Sequence, residues 1–219
     1  MRRFVLLSLG AACLLAGAAG AQQAPAAADL LFERPQLQAL SAGDRLNYSY
    51  SFTSSDPNLF GPPFEDRIGL RVEPGDAPDK RNVAVDMFSA ERRRAAGPFD
   101  AMTGNPLLSL MLEENLQRLA AIFQANPRYM KTAIRLALRD AIASPDRVEG
   151  FDGPAWKVEV APFANDPHKA RMRGLDTLTY RFRVSPAAPG EIYEIDIAAR
   201  DPSGTVLFEE TTRYAGKAQ

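Results

Sequence analysis

Residues 103–145 read TGNPLLSLMLEENLQRLAAIFQANPRYMKTAIRLALRDAIASP, and how this stretch folds decides the architecture. It contains two segments that each begin with Asn-Pro, at Asn105-Pro106 and Asn126-Pro127. An asparagine oxygen can accept from a free backbone N–H at a helix start, and a proline in the first helical position has no N–H to leave unpaired. Both segments therefore predict helices. In the first, Leu108, Met111, Leu112, Leu116, Leu119 and Phe123 recur at helical spacing, and Leu107, Leu110 and Ile122 widen the stripe. In the second, Met130, Ala133, Ile134, Ala137, Leu138 and Ala141 do the same until Ser144-Pro145 ends the run. The joint between them is short, which predicts an antiparallel helical hairpin over residues 105–143.

The chain on either side has a different period. In RLNYSYSFTS, residues 45–54, Leu46, Tyr48, Tyr50 and Phe52 alternate with Asn47, Ser49, Ser51 and Thr53, the pattern of a half-buried strand. Further strands are expected near 66–73, 82–89 and, continuing through ERRRAAGPF, 91–99. After the hairpin they resume at 155–163, 177–185, 192–200 and 205–214, with Tyr193, Ile195, Ile197 and Ala199 expected to share one face of the third. Tight turns such as DPSG at 201–204 imply antiparallel neighbours. The reading is an α+β domain over residues 45–219. It is built on a meandering antiparallel sheet of about seven or eight strands covered by the central hairpin. One sheet face should be dry and the other wet.

The N-terminus reads as an address. Arg2 and Arg3 precede the uncharged run Phe4–Gly20, and Ala19-Gly20-Ala21 supplies the small residues of a cleavage site. This is the pattern of a secretory signal peptide over residues 1–21, implying a periplasmic or secreted protein with no transmembrane segment in the mature chain. Residues 22–44 are expected to be a disordered leader with a short helix near Leu30–Leu40. Cys13, the single cysteine, leaves with the signal, so a disulfide scaffold, a thiol nucleophile and a cysteine metal site are excluded. Of 26 basic residues, loss of Arg2 and Arg3 leaves 24 against 27 acidic ones. Nucleic-acid binding is disfavoured by that balance.

Nine large apolar side chains on the first helix represent about 15 to 25 kcal/mol of gross driving force, so the stripe will be covered. Two readings stay open. The hairpin can simply fill the core, or sheet and helices can close incompletely and leave an apolar space for an acyl chain, lined by Leu108, Met111, Leu112, Phe123, Met130, Ile134 and Leu138. The methionines, adaptable on irregular apolar surfaces, suit the second. Signal peptide, short helix, antiparallel strands, mid-chain helix pair and further strands together resemble the periplasmic outer-membrane lipoprotein carrier and its receptor. That resemblance implies a curved, half-barrel-like sheet capped by helices over an apolar cavity, and a lipid-like ligand or lipoprotein-like cargo. It rests on element order alone and carries over no residue's function.

Catalytic motifs are absent from the sequence: there is no G-x-S-x-G, no H-E-x-x-H and no glycine-rich phosphate loop. His168, the single histidine, reads as a loop residue. Glu65-Asp66, Glu194/Asp196 and Glu209-Glu210 could supply a glycosidase's two carboxylates, but acidic residues on a solvated strand face are ordinary. No metal and no cofactor are expected. Basic residues cluster more suggestively, as Arg92, Arg93 and Arg94, as Arg128, Lys131, Arg135 and Arg139 on the second helix, and as Lys169, Arg171 and Arg173 beside His168. Such clusters suit an anionic headgroup or phosphorylated glycan, although a solvated helix face and loop is the more ordinary reading. The expectation is a non-enzymatic periplasmic binding protein for an apolar ligand. The alternative is an accessory subunit or assembly factor that meets an envelope protein partner.

Overall fold

A computed structural model describes residues 24–217, so the signal peptide expected over 1–21 lies outside the described residues. The first half of the fold holds β1 (Arg45–Ser54), a one-turn helix α1 (Pro57–Phe60), β2 (Phe64–Pro74), β3 (Arg81–Met87) and β4 (Arg94–Met102). The helices α2 (Pro106–Phe123) and α3 (Pro127–Asp140) follow. The second half holds β5 (Ser144–Asp146), β6 (Ala155–Val160), β7 (Thr179–Val184), β8 (Ile192–Arg200) and β9 (Val206–Lys217). All nine strands form one unclosed antiparallel sheet in the order β4-β3-β2-β1-β9-β8-β7-β6-β5.

This order explains why the hairpin must cover the sheet. The first half of the chain meanders outward from β1 to β4 and the second half inward from β5 to β9, which pairs with β1, so β4 and β5 are opposite edges. The α2–α3 connection runs from one edge to the other. Eight strand spacings amount to about 38 Å if the sheet were flat. The 18 residues of α2 cover about 27 Å. A curved sheet brings the edges within reach, and its inner face takes the helices. Leu46, Tyr48, Tyr50 and Phe52 of β1, Ile68, Leu70 and Val72 of β2, and Tyr180, Phe182 and Val184 of β7 are buried in one cluster with Leu107, Leu108, Met111, Leu116 and Leu119 of α2 and Met130, Ile134 and Leu138 of α3.

Both helix starts follow the Asn-Pro logic. Asn105 accepts from the Leu107 N–H at 3.0 Å, and Asn126 from the Arg128 N–H at 2.9 Å. Asn105 does more than cap: its amide donates to the Tyr48 hydroxyl at 3.2 Å and to the Gly190 carbonyl at 3.0 Å. One side chain thereby ties the start of α2 to β1 and to the β7–β8 turn.

Four expectations are corrected. Among the described residues the strand count is nine rather than seven or eight, because β5 occupies the stretch read as a helix stop. It is three residues long, too short for alternation to show, and its Pro145 is tolerated on an edge strand. Residues 24–44 are not a loose leader. Ala26 bridges Ile142, the Ala27 N–H donates to the Ala141 carbonyl at 3.0 Å, and Leu30, Leu31, Leu37 and Leu40 are buried. Its helical part is one π-helical turn, Asp29–Glu33, ended by the Arg34-Pro35 step. Tyr193 does not share a cluster with Ile195 and Ile197. A register shift between Arg183 and Val184 displaces it, and it packs with Val148, Ala155 and Phe151. Glu194, expected on a solvated face, is buried.

Candidate functional site

The N-terminal segment runs from the end of α3 to the start of α2, where the Leu37 N–H donates to the Thr103 carbonyl at 2.9 Å. Between it and the hairpin lies an apolar groove of about 330 Å3. Ala28 and Phe32 of the segment, Leu112 and Leu116 of α2, and Ile134 and Leu138 of α3 form its walls. Phe32 is 44 % exposed, so its own fold leaves this ring in reach of a ligand. Lys131, Arg135 and Arg139 of α3 and Glu113 of α2 form the rim. Lys131 donates to Glu113 at 3.0 Å and Arg139 to Asp140 at 2.7 Å, while Arg135 makes no ion pair among the described residues. The Gln117 amide and the Lys131 ammonium hold the Glu113 carboxyl below the usual carboxylate range.

The seven apolar residues expected to line a ligand space are divided by the structure. Leu112, Ile134 and Leu138 reach the groove. Leu108, Met111 and Met130 are packed inside the core, and Phe123 is half-buried beside Phe60, with ring centroids 6.1 Å apart. This apolar concavity lies between the hairpin and the N-terminal segment, whereas the space considered from the sequence lies between hairpin and sheet. Phe32 stands in the stretch near Leu30–Leu40 read as a short helix, where a single phenylalanine carries no local signal of a groove.

The basic clusters do not converge. Arg92 lies 4.7 Å from the Phe64 ring centroid. Arg93 pairs with Asp86 at 2.7 Å, and Arg94 makes a bidentate contact to Glu114 of α2 at 3.1 and 3.0 Å. Arg128 joins Lys131 and Arg135 around a second depression on α3. Lys169 and Arg171 belong to a 3-10 turn after β6, with Arg171 3.1 Å from the His168 ring nitrogen. That loop is pinned to α3 where the Tyr129 hydroxyl meets the Asp166 carboxylate.

Under α2 lies a polar cluster that the sequence did not announce. Glu210 of β9 faces the core side, its side chain 4 % exposed, and is met by Arg118 and, at 3.1 Å, by the Asn115 amide. The Tyr180 hydroxyl donates to Asn115 at 3.0 Å. The Arg118 guanidinium also stands 4.5 Å from the Phe52 ring centroid and 5.6 Å from that of Phe208. Burial pushes the Tyr50 and Tyr180 phenols far above their ordinary range, and the Glu210 charge adds to it. On the other face, Arg183 and Arg213 both donate to Glu194. Burial raises the Glu194 pKa and the neighbouring Asp196 adds to the rise, against the pull of Arg213.

No family model matches the chain. No curated protein matches it either. Among solved structures, a LolA superfamily protein from Nitrosomonas europaea aligns over 89 % of this chain and 93 % of its own, at 9 % identity and a TM-score of 0.25. The dehydratase domain from the terminal module of the rifamycin polyketide synthase aligns over 80 % and 76 %, at 12 % identity and a TM-score of 0.17. At such scores neither alignment carries weight for function.

Proposed function

We propose that this chain is a cell-envelope binding protein that holds an amphipathic, lipid-like ligand in the groove between the N-terminal segment and the helical hairpin. The apolar part of the ligand lies along Phe32, Leu112, Leu116, Ile134 and Leu138, and its anionic end meets the Arg135 guanidinium at the rim. The observation that carries this reading is Phe32. A large aromatic side chain left 44 % exposed loses part of the free energy that burial would give it, and a chain seated beside it recovers that loss. The cationic rim on one side of an apolar floor favours an anionic amphiphile over a neutral hydrocarbon. Export to the periplasm, read from residues 1–21, is part of the proposal, and so is the absence of catalysis.

Native mass spectrometry of the protein purified without detergent, followed by titration with a fluorescent fatty acid, tests the proposal. Co-purified lipid or saturable uptake that Phe32→Ser reduces supports it. A clean apo mass together with no uptake sinks it.

A further inference from the structure

On the sheet face away from the helices, β1, β2 and β3 enclose a depression of about 330 Å3 lined by four arginines, Arg45, Arg67, Arg71 and Arg93, among smaller and polar residues. Strand register places the parts. Gly69 of β2 lies opposite Asn47 of β1 and Asp86 of β3, so the floor has no side chain of its own where its neighbours carry polar ones. Arg67 and Arg71 flank Gly69 along the strand on the same face. Arg45 is the cross-strand partner of Arg71, and Arg93 enters from beyond β3. The turn at Phe88 and Ala90 walls the depression, with φ of 64° and 47° that side-chain-bearing residues rarely adopt.

The charge pattern is the informative part. Like charges directly opposite one another in an antiparallel pair destabilise it, yet Arg45 and Arg71 stand opposite. Two acidic groups answer four guanidinium groups: Asp86 takes Arg93 at 2.7 Å, and Glu73 takes Arg71 at 2.9 Å. Arg45 and Arg67 make no ion pair among the described residues. Guanidinium forks match the oxygens of a phosphate in bidentate fashion. A Cβ built on Gly69 would meet only Asn47 Oδ1, at 4.0 Å, so the floor is open and can receive a group of that size.

We infer that this depression is a binding site for a phosphate-bearing ligand, with Arg45 and Arg67 as its principal contacts, Arg71 and Arg93 as supporting charges and Gly69 as its floor. It lies on the opposite face of the sheet from the lipid groove, so either reading can fail without the other. Two sources share this chemistry, a soluble phosphorylated solute and a phospholipid headgroup at a membrane surface.

Calorimetric titration with sn-glycerol phosphate, run beside flotation with phosphatidylcholine vesicles with and without phosphatidylglycerol, tests the site. The expected result is saturable binding that weakens as salt rises. It should fall at least tenfold in Arg67→Ser and in Gly69→Val. Gly69 has an ordinary strand conformation and open space above it, so valine there fills the floor while suiting the strand. Should that variant unfold, Arg45→Ser and the Arg45→Ser/Arg67→Ser pair, both at exposed positions, carry the same comparison. Binding of the soluble probe supports the site and assigns it a free solute, whereas binding to anionic vesicles alone supports it and assigns a headgroup. Binding of neither probe, or binding indifferent to these substitutions, overturns the inference.

Discussion

Replacing Arg118 by methionine isolates the polar cluster beneath α2. Methionine retains much of the arginine stem, so the loss is the charge and its contacts. The Glu210 side chain is 4 % exposed and cannot turn to water, whereas Arg118 is 27 % exposed and can. Removing the partner of a buried charge costs about 3 to 5 kcal/mol. Arg118 additionally gives up its place over the Phe52 and Phe208 rings. A loss of about 4 kcal/mol lowers Tm by roughly 8 to 16 °C in a domain of this size. Glu210→Gln should cost only about 1 to 2 kcal/mol, because its amide oxygen still accepts from Asn115 and the freed guanidinium can be solvated. Combining the two should therefore be milder than Arg118→Met alone, with a coupling of about 2 kcal/mol. Urea unfolding followed by far-UV circular dichroism and by fluorescence of Trp156, the single tryptophan, measures all four corners of the cycle. If Arg118→Met costs under about 1 kcal/mol, or the double variant is no milder than the single, the claim that Glu210 is a buried charge held by Arg118 is wrong.

Thr212 Oγ1 is buried with no hydrogen-bond partner among the described residues, so Thr212→Val should raise stability by about 1 kcal/mol in the same urea experiment; a loss would mean the hydroxyl has a partner. Asn105→Ala removes a helix cap and two buried amide contacts at once, and should cost about 2 to 4 kcal/mol by thermal unfolding. Burial raises the Tyr48, Tyr50 and Tyr180 phenols far above their free value near 10. Because the folded form holds those protons more tightly, their contribution to stability is complete below the unfolded pKa and is lost as pH rises beyond it. An alkaline titration at 295 nm should show these three ionising together with the loss of folded signal, and independent ionisation of all six tyrosines before unfolding would refute their burial. In the groove, Leu112→Glu should abolish fatty-acid uptake at little cost in stability, since Leu112 is only half-buried; unchanged uptake would move the ligand elsewhere.

The helices and most strands were legible because their signals are local. Asn-Pro caps act within three residues, and alternation in β1 needs only its own ten. What stayed hidden depends on pairing across the chain. Residues 24–44 look like a polar, alanine-rich leader until Ala26 meets Ile142 and Gln36 meets the Asn105 N–H at 2.8 Å, partners more than 60 positions away. Tyr193 has the right parity for the inner face, and only a bulge set by the neighbouring strand moves it out.

The same distinction governs the site. Counting charges along the chain finds runs, so Arg92, Arg93 and Arg94 look like a unit, yet the fold sends them to Phe64, Asp86 and Glu114 respectively. Arg45, Arg67 and Arg71 look scattered, and β1–β2 register gathers them around one glycine. Arg92 ends a 3-10 turn, Arg93 caps it and Arg94 opens β4, so this run divides itself, whereas arginines at matching parity on neighbouring strands accumulate. Anion recognition in a β-sheet protein is accordingly better sought among same-parity arginines on strands expected to pair than in consecutive basic runs. In this chain the β1–β2 arginines satisfy that condition and the 92–94 run does not.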